Sequence, residues 1–103
     1  MLFEEHWKDA SGNPAGGVSQ DVGFTISWQN GPLAVDGVRR EPNGAFVENV
    51  IRAVIGRLEF YQSSRFACQY NADAIHHLNA ALERLQARTA DRVARKVEGT
   101  HGE

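Results

Sequence analysis

Two stretches with helical periodicity, joined by a connection of only a few residues, constrain this chain more than any other feature in it. In AFVENVIRAVIGRLEFYQ, residues 45–62, the apolar positions Val47, Ile51, Val54, Leu58 and Tyr61 recur at spacings of four and three. That is the repeat of one helix face. Phe46, Val50, Ile55 and Phe60 widen the seam, so this helix is expected to be covered on two sides. After SSRFAC, residues 63–68, a second seam of Ala72, Ile75, Leu78, Leu82 and Leu85 follows at the same spacings. Its other face is polar or small: Asp73, His76, Asn79, Ala80, Glu83 and Ala87. A connection this short turns the second helix back along the first, which makes an antiparallel helical hairpin over residues 44–98.

Ahead of the helices, VGFTISWQ places Val22, Phe24, Ile26 and Trp28 at alternate positions, the repeat of a half-buried strand. Asn30-Gly31 follows, a dipeptide suited to a tight turn, and LAV after Pro32 reads as a returning strand. Pro32 cannot donate to a ladder and belongs at the strand's start or edge. The expectation is a β-hairpin over residues 21–38. The preceding SGNPAGGVSQ is rich in Gly, Ser, Asn and Pro, and residues 1–20 read as a flexible lead-in. The fold class is therefore α+β, a small N-terminal β-hairpin followed by a long antiparallel helical hairpin. Two strands are marginal in water, and helices with wide apolar faces need a further surface to cover them. Assembly as a homo-oligomer, most simply a twofold dimer, is the physical expectation for this single domain of 103 residues.

Charge is unevenly placed. The net charge is −2, which speaks against a general nucleic-acid binder with a broad positive face. Yet Arg84, Arg88, Arg92, Arg95 and Lys96 crowd the end of the second helix, and Arg84, Arg88, Arg92 and Lys96 fall four apart on one face. Dipole complementarity near a helix C-terminus accounts for Arg95 and Lys96 before Gly99. It accounts less well for Arg84 and Arg88, which precede the end by several turns. Nine of the eleven basic residues are arginine, whose planar fork grips phosphate.

The remaining chemistry is limited. Cys68 is the single cysteine, so no internal disulfide or zinc ribbon can form, which suits a reducing compartment. Cys68 with His76 and His77 suggests a nucleophile and base, but adjacent helical histidines point about 100° apart and nothing orients them. The same divergence argues against a metal site, which needs a spacing of three or four. No apolar run approaches the roughly 20 residues that span a bilayer, and MLFEEHWKD lacks a signal-peptide pattern. A soluble intracellular protein is expected. Tyr61 ends the first seam with both a stacking face and a hydroxyl, beside Phe60 and close to Phe66. Asn71 opens the second helix, where an N-cap role competes with reading a sugar or a base edge. A stacking ring, an amide and a row of phosphate binders, with no Gly-rich phosphate loop and no general base, favour holding a nucleotide over cutting one.

Three stretches, FTISWQNGPLAVDGV, IGRLEFYQSSRFACQYNADAIHHLNAALERLQARTADR and RKVEGTH, give the chain a further reading. In order and spacing it resembles the bacteriophage anti-Thoeris sponge family (Thoeris anti-defence protein, first type). That family shows a strand before Gly-Pro, an Arg-Leu-x-x-Phe-Gln helix end, Cys-x-x-Asn before a long helix, and Arg-Thr-x-x-Arg closing with Val-Glu-Gly-Thr. The match covers about residues 22–101. It implies a non-enzymatic sponge, without cofactor, in the cytoplasm of the infected bacterial host. Such a sponge binds a cyclic ADP-ribose isomer (glyco-cyclic ADP-ribose) made by TIR-domain proteins and so blocks Thoeris defence. Some members also bind cyclic di- or trinucleotides of CBASS at a separate site in a higher oligomer, so the implied assembly runs from homodimer to hexamer, with no membrane and no DNA partner.

Carried onto this sequence, the family's adenine-stacking aromatic matches Tyr61, its asparagine matches Asn71 and its arginine matches Arg88. Arg84, Arg92, Phe60, Gln29 and Asn30 complete the candidate ligand-binding set. The chain departs from many relatives in having Gly37-Val38-Arg39-Arg40 where they read Gly-Val-Asn-Gly, which bears on ligand preference, and Lys96 where glycine is common. The competing reading is a small oligomeric phage nucleic-acid-binding or assembly protein without a small-molecule ligand.

Overall fold

The computed structural model describes residues 1–94. The architecture is α+β, in the element order β1 (Phe3–Lys8), β2 (Pro14–Asp21), β3 (Phe24–Trp28), β4 (Ala34–Val35), β5 (Val38–Arg39), α1 (Val47–Gln62) and α2 (Gln69–Ala94). The expected roles of Arg95, Lys96 and Gly99 lie outside the described residues. The chain divides into a β-rich unit, which takes in residues 1–46 and, of the described residues, also 92–94, and a helical unit, residues 47–91.

The β-rich unit is built on an antiparallel sheet in the order β1-β2-β3. The lead-in expected to be flexible thus supplies two of its strands. β3 pairs backwards with β2, from Asp21↔Phe24 to Gly17↔Trp28, and not forwards across Asn30-Gly31. Val22, expected on the strand's inner face, is instead fully exposed in the turn with Gly23, which takes a φ of +91°. The glycines that mimic a loop serve close approach. A Cβ on Gly17 would collide with the Glu5 carbonyl oxygen, and one on Gly16 would meet Trp7 and Asn30 at 3.0 Å. Glycine there is what lets β1 and the Trp7 ring come in.

Side chains that face the same side of the three strands fix their register. The Trp28 indole Nε1–H donates to Ser19 Oγ at 2.8 Å, and Ser19 Oγ donates in turn to Glu4 Oε2 at 2.8 Å. Ser19 is buried, so this chain satisfies a hydroxyl that would otherwise be costly there.

The expected return strand exists only as the two-residue β4, and its partner is β5. Asp36 and Gly37 turn between them with φ of +52° and +76°, the pattern of a type I′ turn. Arg39 and Arg40 are exposed at its end.

In the helical unit, two links at opposite ends set the direction of α2 against α1. Gln62, the last residue of α1, bonds to Cys68, and Glu48 in the first turn of α1 pairs with Arg88 far along α2. The helices are antiparallel, as their spacing in sequence requires. Coverage is thinner than the seam implies. Ile55 is buried, whereas Val50, Ile51, Leu58, Ile75, Leu78, Leu82 and Leu85 are half-buried and Val47, Val54 and Phe60 are exposed.

Candidate functional site

The loop between the helices is closed by backbone mimicry. The Gln62 side-chain amide accepts from Cys68 N–H at 2.9 Å through Oε1 and donates to the Cys68 carbonyl at 3.1 Å through Nε2. Ser63 and Ser64 turn their hydroxyls onto the carbonyls of Phe60 and Tyr61, at 2.7 and 2.6 Å, adding a second donor to acceptors that their own backbone N–H groups already reach at 3.2 and 3.1 Å. These contacts hold the last turn of α1 and the first turn of α2 in one fixed tip.

Tyr61 is half-buried at that tip, and Phe60 beside it is exposed, with ring centroids 6.2 Å apart and planes inclined by 51°. Arg57, one turn earlier, lies over both rings, 5.2 Å from the Phe60 centroid and 5.0 Å from that of Tyr61. Its Nε donates to Tyr61 Oη at 3.2 Å. On the other side of the loop Arg65 stacks over Phe66 at 4.7 Å.

Asn71 is also at the tip, but not as an N-cap. α2 begins at Gln69, and the bond from Ala72 N–H to the Cys68 carbonyl makes Cys68 the residue that precedes it. Asn71 is therefore the third helical residue. A cap needs its side chain one place before the helix, and the Cys68 N–H that opens α2 is already held by Gln62. The half-buried Asn71 amide reaches back to the Phe66 carbonyl at 3.5 Å, a long contact.

Arg88 is not part of this cluster. Seventeen residues separate it from Asn71 along α2, about 26 Å at the helical rise. Its Nη2 lies 3.8 Å from Glu48 Oε1, and the Glu48 carboxylate is 20 % exposed against 52 % for Arg88. Arg84 and Arg92 lie one turn to either side, Arg84 exposed and Arg92 half-buried.

Gln29 and Asn30 belong to the β-rich unit and are held there by its loop. Gln29 Oε1 accepts from the N–H groups of Asn43 and Gly44 at 2.9 and 3.2 Å. The Asn43 side chain spans both backbone groups of Asn30, at 2.8 and 2.9 Å. Their visible role is to latch residues 30–43. Cys68, His76 and His77 are exposed, the two imidazoles meeting edge to face at 5.6 Å.

Three residues that reading the sequence did not single out thus shape the site: Gln62, Glu48 and Arg57. Gln62 had one visible signal, its position directly before the turn. Glu48 had another, an acidic group in the first turn of a helix.

Residues 20–90 match the family model described as "Acb2/Tad1, hairpin domain". The chain belongs to that family. It is also 46% identical over 77 residues to a protein of Bacillus phage SBSphiJ7 named Thoeris anti-defense 1. The aligned region takes in 75% of this chain and 51% of that relative, so the chain spans about half its length. The resemblance read from the strand, the helix end and the arginine run is borne out. The matched region runs from the end of β2 through β3 and α1 to most of α2, and so includes Tyr61, Asn71 and Arg88.

Proposed function

We propose that this protein is a phage-encoded sponge that binds and sequesters a cyclic ADP-ribose isomer made by TIR-domain proteins and thereby blocks Thoeris defence. The observation that carries this reading is the similarity to a phage protein named Thoeris anti-defense 1 across the segment that holds the hairpin. The geometry supports it. Tyr61 offers a half-buried aromatic ring at a tip fixed by Gln62, Ser63 and Ser64, with the Asn71 amide across the loop. In this reading adenine stacks on Tyr61, Asn71 bonds a base edge or a ribose hydroxyl, and Arg88 grips the pyrophosphate with charge-assisted bonds.

Within one chain Arg88 is too far along α2 to reach a ligand at the tip. A second copy packed head to tail against the first would resolve this, since its Arg88 would then lie beside the first copy's tip. The exposed Val47, Val54 and Phe60 and the thin cover over both helices favour such a partner. Holding the ligand needs no chemical step, and the cyclic molecule is released unchanged.

Titration calorimetry with cyclic ADP-ribose isomers, followed by heat denaturation and analysis of the freed ligand, tests this. Saturable binding and recovery of intact ligand are expected. Absence of binding, or recovery of a hydrolysed product, overturns the proposal. Cyclic di- and trinucleotides in the same titration decide whether the CBASS signals are also ligands.

A further inference from the structure

Among the described residues Arg57 is the arginine that touches the ring proposed to stack the base. It bonds Tyr61 Oη through Nε alone, its guanidinium carbon lies 5.0 Å from the Tyr61 centroid, and the described ion pairs give it no carboxylate. The two terminal nitrogens make no described hydrogen bond, so they keep donors free on an exposed side chain. Cation–π contact with two rings holds the guanidinium in place before any ligand arrives, which lowers the entropy lost on binding an anion. Because Nε donates to Tyr61 Oη, the phenol is the acceptor in that bond. Its own O–H remains free to donate.

We infer that Arg57 is a ligand-binding residue, with its terminal guanidinium nitrogens gripping a phosphate of the nucleotide whose base stacks on Tyr61. This rests on the reading of Tyr61 given above and adds to it. Each tip then carries a phosphate donor of its own, and the arginine supplied by a second copy is a further contact. The ligand class is a nucleotide with its phosphate folded back towards its base, as in a cyclic ADP-ribose. An unphosphorylated nucleoside offers Arg57 nothing.

The test compares Arg57→Ala, Arg57→Lys and Tyr61→Ala for binding of a cyclic ADP-ribose isomer by calorimetry at several salt concentrations, with thermal melting of each variant alongside. Arg57→Ala is expected to weaken binding about tenfold or more, the loss of one charge-assisted contact, with a shallower salt dependence and an unchanged melting temperature. Arg57→Lys keeps the charge without the fork and is expected to fall between parent and alanine variant. If Arg57→Ala binds within twofold of the parent while Tyr61→Ala loses binding, Arg57 is not a ligand contact and the stacking site stands. If both bind as the parent does, the site at the tip is wrong as well. Weaker binding with an unaltered salt dependence would also overturn the inference, because Arg57 would then act only by holding the Tyr61 ring.

Discussion

Arg88 on α2 faces Glu48 in the first turn of α1, with 3.8 Å between Nη2 and Oε1, so the arginine proposed to grip phosphate already has an anion beside it. With the arginine about half exposed and the contact as long as 3.8 Å, the pair contributes about 0.2–1 kcal/mol. To take a ligand's phosphate, Arg88 must give up that contact. Glu48→Gln is therefore expected to tighten ligand binding by up to about fivefold while lowering stability by no more than about 1 kcal/mol. Calorimetry and a urea melt on the same preparation check both halves. Unchanged affinity would mean that Arg88 does not leave Glu48 when ligand binds.

Arg88→Ala separates function from fold. The side chain is about half exposed, and its one described partner is Glu48. Its removal is expected to leave the melting temperature within a few degrees of the parent, since about 1 kcal/mol shifts a domain of this size by roughly 4–8 °C. Sequestration is expected to be lost. A variant that still protects a reporter effector from the cyclic ADP-ribose isomer would remove Arg88 from the site.

The hairpin tip depends on Gln62. Its amide makes a donor and an acceptor bond to the one residue Cys68, and no other described contact bridges the ends of the loop in this way. Gln62→Ala breaks both and is expected to cost about 1–3 kcal/mol, at roughly 0.5–1.5 kcal/mol for each bond. Hydrogen exchange should then rise first in residues 62–70. Protection equal to the parent's there would show that the serine contacts alone hold the turn.

Much of this arrangement was legible in the sequence, for physical reasons that also mark where legibility ends. The helices announce themselves because each seam repeats at the helical period, and residues 63–68 are too few to do anything but reverse the chain. β3 is legible through Phe24, Ile26 and Trp28. β1 and β2 are not, because FEEHWK carries charges and aromatics without apolar alternation. In β2, Gly16 and Gly17 look like loop residues until the neighbouring strand and the Trp7 ring are seen against them. Tyr61 and Asn71 fall at the tip because one lies in the last turn of α1 and the other in the first turn of α2. The Glu48–Arg88 pair joins positions distant in sequence and depends on hairpin register, which no local pattern encodes.

The sheet that precedes the hairpin depends on one buried hydroxyl. Ser19 is 3 % exposed and stands between Trp28 and Glu4, accepting from the indole and donating to the carboxylate. Ser19→Ala removes both bonds and leaves the indole N–H and a carboxylate oxygen short of a partner, a loss of about 1–3 kcal/mol where the group stays dry. Ser19→Cys keeps the size of the side chain but offers only a weak donor and acceptor, so it is expected to recover little. Denaturation followed by tryptophan emission reads the effect, because Trp28 is one of the two tryptophans, and a Trp7→Phe background leaves it as the sole probe. If Ser19→Ala unfolds at the same urea concentration as the parent, water reaches the indole and the strand register is held by the backbone ladder alone.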